Sequence, residues 1–204
     1  MEFLILASAH FLALLSPGPD FFLIVRGGLK LPLRYAISIC FGIATANTIY
    51  VFMAILGLES IREISWVFGL LTYMGSLYLV YIGYLLIRSN KQSFSSEKSS
   101  NFLQAHSYKK QFIVGFLSAA LNPKNIIFYF SLFTVLVSKE TSLDMRILYG
   151  IWMAGIVLAW DVLIVALIGR KRFVKYLENH LWRIEKMTGV ILLGFGLTFP
   201  FVQS

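Results

Sequence analysis

Three ionisable side chains stand inside otherwise apolar stretches of this chain: Asp20, Lys124 and Asp161. Burying a charge at membrane depth costs at least ~2.5–3.5 kcal/mol on insertion scales, so such a residue reads first as part of a working site. A lysine facing two carboxylates can hold a zwitterion, the ligand's carboxylate on the ammonium and its amino group on an acid. With all three ionised, one carboxylate is in excess, which makes Asp20 and Asp161 the candidates for carrying a proton. The competing reading is structural: Asp161 pairs with Lys124 and only fixes how the helices lie.

Two of the three charges follow helix-breaking runs. Ser16-Pro17-Gly18-Pro19-Asp20 interrupts the first apolar stretch, and Asn122-Pro123-Lys124-Asn125 interrupts the fourth. A proline lacks an amide hydrogen and clashes with the carbonyl four residues back, so Pro17, Pro19 and Pro123 free the carbonyls of Ala13, Leu15 and Ala119. Gly18 lets the chain leave the helical region cheaply. Lipid cannot satisfy freed backbone groups, so such breaks are tolerated where they are buried in protein or line a cavity. A helix restarting near Asp20 turns its positive end toward an anionic group, while Asn122 and Asn125 offer both donors and acceptors. Asn47, near the middle of the second stretch with Thr45 and Thr48 beside it, either meets a substrate or joins two helices. The candidate substrate-binding set is therefore Ser16, Pro17, Gly18, Pro19, Asp20, Asn47, Asn122, Pro123, Lys124 and Asn125, with proton coupling through Asp20 or Asp161.

The elements that must position these residues follow from composition. Of 204 residues, 58% are hydrophobic and only 14% charged, which lies outside the makeup of a soluble domain and marks an all-α integral membrane protein. Apolar stretches near the ~20 residues needed to span a bilayer cover 3–25, 35–58, 66–87, 112–137, 147–169 and 188–201, the last of them short. Glu2 in place of a basic start, and an apolar run that continues past Ala7-Ser8-Ala9, make the first stretch a span that stays. Six transmembrane helices leave no room for a soluble domain, so 1–204 reads as one transmembrane unit. The connection 88–110, rich in Ser, Lys, Asn and Gln, divides it into halves at about 1–87 and 111–204. Three spans per half put the halves in opposite directions: an inverted repeat with broken helices 1 and 4, a plan common in secondary transporters. Phe11-Leu12-Ala13 before the first break and Phe116-Leu117-Ser118-Ala119 before the second are the only sequence echo of that repeat.

The net charge of +8 would suggest nucleic acid in a soluble protein, but its placement explains it without that partner. Cations gather on alternate loops: Arg26, Lys30 and Arg34; then Arg88, Lys91, Lys98, Lys109 and Lys110; then Arg170, Lys171, Arg172, Lys175, Arg183 and Lys186. The opposite side holds Arg62, Lys139 and Arg146, which leaves Lys124 as the cation within a span. The positive-inside rule makes the three basic loops, the linker 88–110 included, cytoplasmic and the topology N-out and C-out. Phe173, Leu177, Leu181 and Ile184 recur at helical spacing opposite charged residues, which predicts an amphipathic surface helix ahead of the last span. Ser38, Gly42 and Ala46, and Gly150 with Ala154, favour close helix crossings. Cys40 stands alone, and His10, His106 and His180 are scattered, so no disulfide, dithiol relay or metal site is readable. No phosphate-binding glycine loop occurs, and no cofactor is expected.

The run from Phe11 to Asp20, together with Gly115-Phe116-Leu117 leading into Leu121-Asn122-Pro123-Lys124, resembles the Pro-Gly-Pro and Asn-Pro-Lys signatures of the lysine exporter (LysE) superfamily. The nearer likeness is to its RhtB-type, homoserine/threonine efflux branch, and the chain length and basic-loop pattern fit throughout. Such a resemblance implies efflux of amino acids or related small metabolites across a bacterial cytoplasmic (inner) membrane, powered by an ion gradient. A proton is the expected coupling ion, in antiport, and a homo-oligomer is compatible with it. The family often carries Asn or Asp at the place of Asp20. Two other readings use the same residues: a cation or heavy-metal exporter on the same scaffold, which would need clustered Cys, His or carboxylate ligands within the spans, and an intramembrane enzyme using Asp20 and Asp161 as a catalytic pair. Lys124 favours two ionised acids over a shared proton, so an enzyme is not expected.

Overall fold

The computed structural model describes residues 1–15, 18–61, 64–90 and 106–198; among the predicted features, Ser16, Pro17, most of the linker and the end of the last apolar stretch lie outside them. The described residues form eight helices in the order α1 (Glu2–Leu14), α2 (Pro19–Lys30), α3 (Leu33–Ile61), α4 (Ser65–Ile87), α5 (Tyr108–Ala120), α6 (Pro123–Leu136), α7 (Leu143–Ile168) and α8 (Lys171–Thr198). By length and composition α3, α4 and α7 can each cross a membrane, and so can α1 with α2 and α5 with α6 if each bent pair is one span. The two pairs bend by 56° and 57°. The breaks predicted in the first and fourth stretches are therefore present.

Each restart has a local cause. Gly18 is extended at the start of α2 and Asn122 at the start of α6, with Pro19 and Pro123 in the first turn, where a missing amide is harmless and a fixed φ suits the helix. Asn122 caps α6 by accepting from the Lys124 amide at 3.1 Å, the side-chain bond expected of a helix-initiating Asn. The carbonyl of Ala119, freed by Pro123, is recovered by the Asn122 amide at 3.2 Å and by Asn125 Nδ2 at 3.4 Å. The next carbonyl, of Ala120, accepts from the Tyr50 hydroxyl. The second break is thus bent but not raw.

Glycines set two crossings. A Cβ on Gly42 would lie 2.1 Å from the Phe112 carbonyl oxygen, and one on Gly115 would lie 2.2 Å from that of Ile39, so α3 and α5 touch backbone to backbone. Helices α4 and α8 meet in the same way, a Cβ on Gly83 falling 2.7 Å from the Gly189 carbonyl and one on Gly189 falling 2.6 Å from the Gly83 carbonyl. Only a residue without a side chain permits such approach.

Packing forms two apolar layers. One gathers Phe21, Ile24, Ile39, Ile43, Ile164 and Leu177 near the basic loops; the other gathers Leu6, Ile55, Leu79, Phe128, Phe133 and Met153 toward the opposite end. Two expectations are revised. Arg146, placed by its sequence neighbours on a loop, is fully buried in the first turn of α7, where it meets Glu59 at 2.9 Å. The amphipathic segment around Leu177 is not a separate surface helix but the first half of α8, which runs unbroken to Thr198, since nothing between Leu181 and Thr188 is a helix breaker.

Candidate functional site

Where the two layers meet, the paired breaks enclose a cavity of about 80 Å³. Its wall draws on α1 through His10, on the start of α2 through Gly18 and Asp20, on α3 through Asn47, on α6 and its cap through Asn122, Lys124 and Asn125, and on α7 through Trp160 and Asp161. Seven residues singled out from sequence, Gly18, Asp20, Asn47, Asn122, Lys124, Asn125 and Asp161, are thereby brought together. Pro19 is exposed in the first turn of α2 outside this wall, Pro123 takes the equivalent place in α6, and Ser16 and Pro17 lie outside the described residues. A larger groove of about 780 Å³ between α4 and α6 is lined by apolar side chains such as Leu71, Leu77 and Phe130 and holds no charged residue.

The two breaks are joined directly. Asp20 accepts from Ser118 Oγ at 2.6 Å and from Asn125 Nδ2 at 2.8 Å, so both of its oxygens bond to the second break. Asn122 Nδ2 donates to Asn125 Oδ1 at 3.3 Å, which orients that amide toward Asp20. A Cβ on Gly18 would approach Lys124 Nζ at 3.7 Å, so the ammonium lies across the glycine of the first break. The carboxylates whose charges act on it are Asp20 and Glu185. Both α2 and α6 start at this cavity, with an acid at the second position of one and a lysine at the second position of the other. Their positive ends reinforce Lys124 as a place for an anion.

The opposite wall is polar but open. Asp161 and Asn47 are buried, and Asp161 Oδ2, Asn47 Oδ1, the Trp160 indole nitrogen and both ring nitrogens of His10 make no hydrogen bond. Buried polar atoms in folded proteins nearly always find a partner. Five orphans on one small cavity mark it as a place for a polar ligand.

Sequence reasoning missed His10, Trp160, Ser118 and the buried Glu185 of α8. His10 was weighed only as a metal ligand, although a lone ionisable residue within a span is itself a site signal. Trp160 was reachable from Asp161, because Val157, Trp160 and Asp161 recur at the three- and four-residue spacing of one helix face. Among the described residues, no three His, Cys, Asp or Glu side chains gather as a metal site would require.

Comparison with known proteins points to a family of transporters. The family described as LysE type translocator matches residues 11–201. The threonine efflux protein of Escherichia coli (strain K12) is 28% identical over 97% of this chain and 96% of its own length, as is the threonine efflux protein of Salmonella typhi. A putative amino acid efflux protein of Bacillus subtilis (strain 168) is 25% identical over 85% of this chain and 83% of its own. No solved structure matches.

Proposed function

Because the chain belongs to the LysE type translocator family, we propose that it is a secondary active exporter of small amino acids. The observation that carries this reading is the cavity between the two breaks, cationic at Lys124 and unsatisfied at Asp161. An α-amino acid presents a carboxylate and an ammonium a few ångströms apart. Its carboxylate fits the Lys124 ammonium and the helix starts, and its ammonium fits the open oxygen of Asp161. Asp20 takes a different part from the one its sequence suggested: with both oxygens bonded to α5 and α6, it ties the two halves together at the site.

The relatives narrow the substrate. Threonine, the cargo in their names, is an α-amino acid with a short side chain, a ligand whose carboxylate and ammonium suit the charges lining the cavity.

Substrate enters from the side of the basic loops, N-out and C-out orientation placing that side in the cytoplasm of a bacterial inner membrane. The halves at about 1–87 and 111–204 rock against each other as inverted repeats and expose the site outward. Asp161, buried and open at one oxygen, carries the returning proton. The test is efflux from reconstituted vesicles preloaded with labelled amino acids, threonine first, with and without a proton gradient. Efflux above protein-free vesicles is expected for the short side chains, and none across the whole panel would sink the reading. If Asp161→Asn and Asp20→Asn both retained the same dependence on the gradient, the proton step would be withdrawn.

A further inference from the structure

His10 has no part in the zwitterion scheme just given, yet it is fully buried in the cavity wall with neither ring nitrogen bonded. Its ring lies 5.8 Å from that of Tyr129 and 6.0 Å from that of Trp152, contacts that hold it in place without answering its polarity. An imidazole carries at least one N–H, and when neutral one acceptor nitrogen as well. Trp160, steadied by Phe11 at 5.6 Å in an edge-on contact, adds an unanswered N–H, and Asn47 Oδ1 adds an unanswered acceptor. An ammonium would serve the acceptors and leave both N–H groups bare; a carboxylate would do the reverse. A hydroxyl donates and accepts at once.

We propose that His10 is a specificity-determining residue: with Trp160 and Asn47 it forms the side-chain end of the substrate site and selects amino acids whose short side chain bears a hydroxyl. This rests on the exporter reading above and assigns a role that the reading leaves empty. A site built to hydrogen-bond a hydroxyl discriminates strongly against an analogue without it, whereas an apolar pocket discriminates weakly against the added hydroxyl.

The experiment compares threonine with valine, its near-isostere with methyl for hydroxyl, and with 2-aminobutyrate, in efflux from vesicles holding the full-length protein. Wild type should favour threonine over valine by at least about tenfold. His10→Phe, which keeps a ring but loses both nitrogens, should bring the threonine-to-valine ratio to within about threefold, while His10→Gln, which keeps a donor and an acceptor, should retain most of it. Trp160→Phe gives an independent reading should His10→Phe fail to yield folded protein, and should lower the same ratio. A wild type indifferent to the hydroxyl, or a ratio unmoved in both ring variants, overturns the proposal while leaving amino-acid export intact. Equal loss for all three substrates in His10→Phe also overturns it, since that is the mark of a structural residue. If wild type moves none of the three, the exporter reading falls and this proposal with it.

Discussion

Two buried polar regions of this molecule are built from similar residue types and end in opposite conditions. At the end away from the basic loops, Arg146 donates to Glu59 at 2.9 Å and to the carbonyls of Ser138 and Lys139 at 3.3 and 2.8 Å. Beside it, Glu2 accepts from the Ser138 amide at 2.9 Å and from the Thr141 hydroxyl at 2.9 and 3.0 Å. In the cavity, His10, Asn47, Trp160 and Asp161 leave five polar atoms without partners. The first region answers its charges from within the chain, joining α1, α3 and the α6–α7 connection, with Arg146 Nε its one buried side-chain atom among the described residues that makes no hydrogen bond; the second leaves five such atoms on one cavity. Burial and charge alone do not separate a lock from a site, whereas the degree of hydrogen-bond satisfaction does.

The comparison breaks if removing a lock residue harms transport alone. Glu59→Gln strips the carboxylate from a fully buried arginine, and losing one partner of a buried pair costs about 3–5 kcal/mol. Glu59 keeps about a third of its side chain exposed, 31%, so the lower end of that range applies. Thermal unfolding of the purified protein should register it as a clear fall in midpoint, at about 2–4 °C per kcal/mol for a chain of this size. A variant with unchanged midpoint and impaired export would place Arg146 and Glu59 in the transport cycle instead of the scaffold.

Lys124→Met asks the converse question of the cavity. Hydrogen bonds to a charged group are worth about 1.5–3 kcal/mol, so substrate affinity should fall about 10- to 100-fold at ~1.4 kcal/mol per tenfold. Thermal stability should fall by less than in Glu59→Gln: a cation is lost beside Asp20 and Glu185, but Asp20 keeps its bonds to Ser118 and Asn125. Efflux titrated against internal substrate concentration, alongside the same unfolding measurement, separates the two effects. Normal affinity in this variant would remove the lysine from the site.

How much of this was legible beforehand follows the same division. Pro-Gly-Pro, Asn-Pro-Lys and the three charges stand out by type in an apolar background, so the breaks and most of the polar residues of the cavity wall could be named from sequence. His10 and Trp160 could not be placed in that wall, because their part depends on which face of α1 and α7 turns toward the breaks, and the apolar faces of these helices differ little. Arg146 was misread for a related reason. A cation one turn inside a helix end looks like a loop cation until a partner from another helix, here Glu59, is brought against it. The continuity of α8 was hidden because the charge pattern marks a change of surroundings near Thr188, whereas the backbone, free of Pro and Gly from Lys171 to Thr188, registers none.

The smallest test sits at the boundary between the two regions, where the second break borders the cavity. The Tyr50 hydroxyl donates to the Ala120 carbonyl at the end of α5, and Tyr78 does the same for the Lys124 carbonyl at 3.1 Å. The Tyr50 hydroxyl satisfies a carbonyl that the end of α5 would otherwise leave bare, and the Tyr78 hydroxyl adds a bond to a carbonyl in the first turn of α6, which makes both part of the answered class although Lys124 itself belongs to the proposed site. Tyr50→Phe removes one such bond and keeps the ring, so about 0.5–1.5 kcal/mol of stability should be lost, with the threonine-to-valine ratio unmoved. Should the ratio shift while the unfolding midpoint stays, the carbonyls at the break act on the substrate after all, and satisfaction by a neighbouring side chain would no longer suffice to tell scaffold from site.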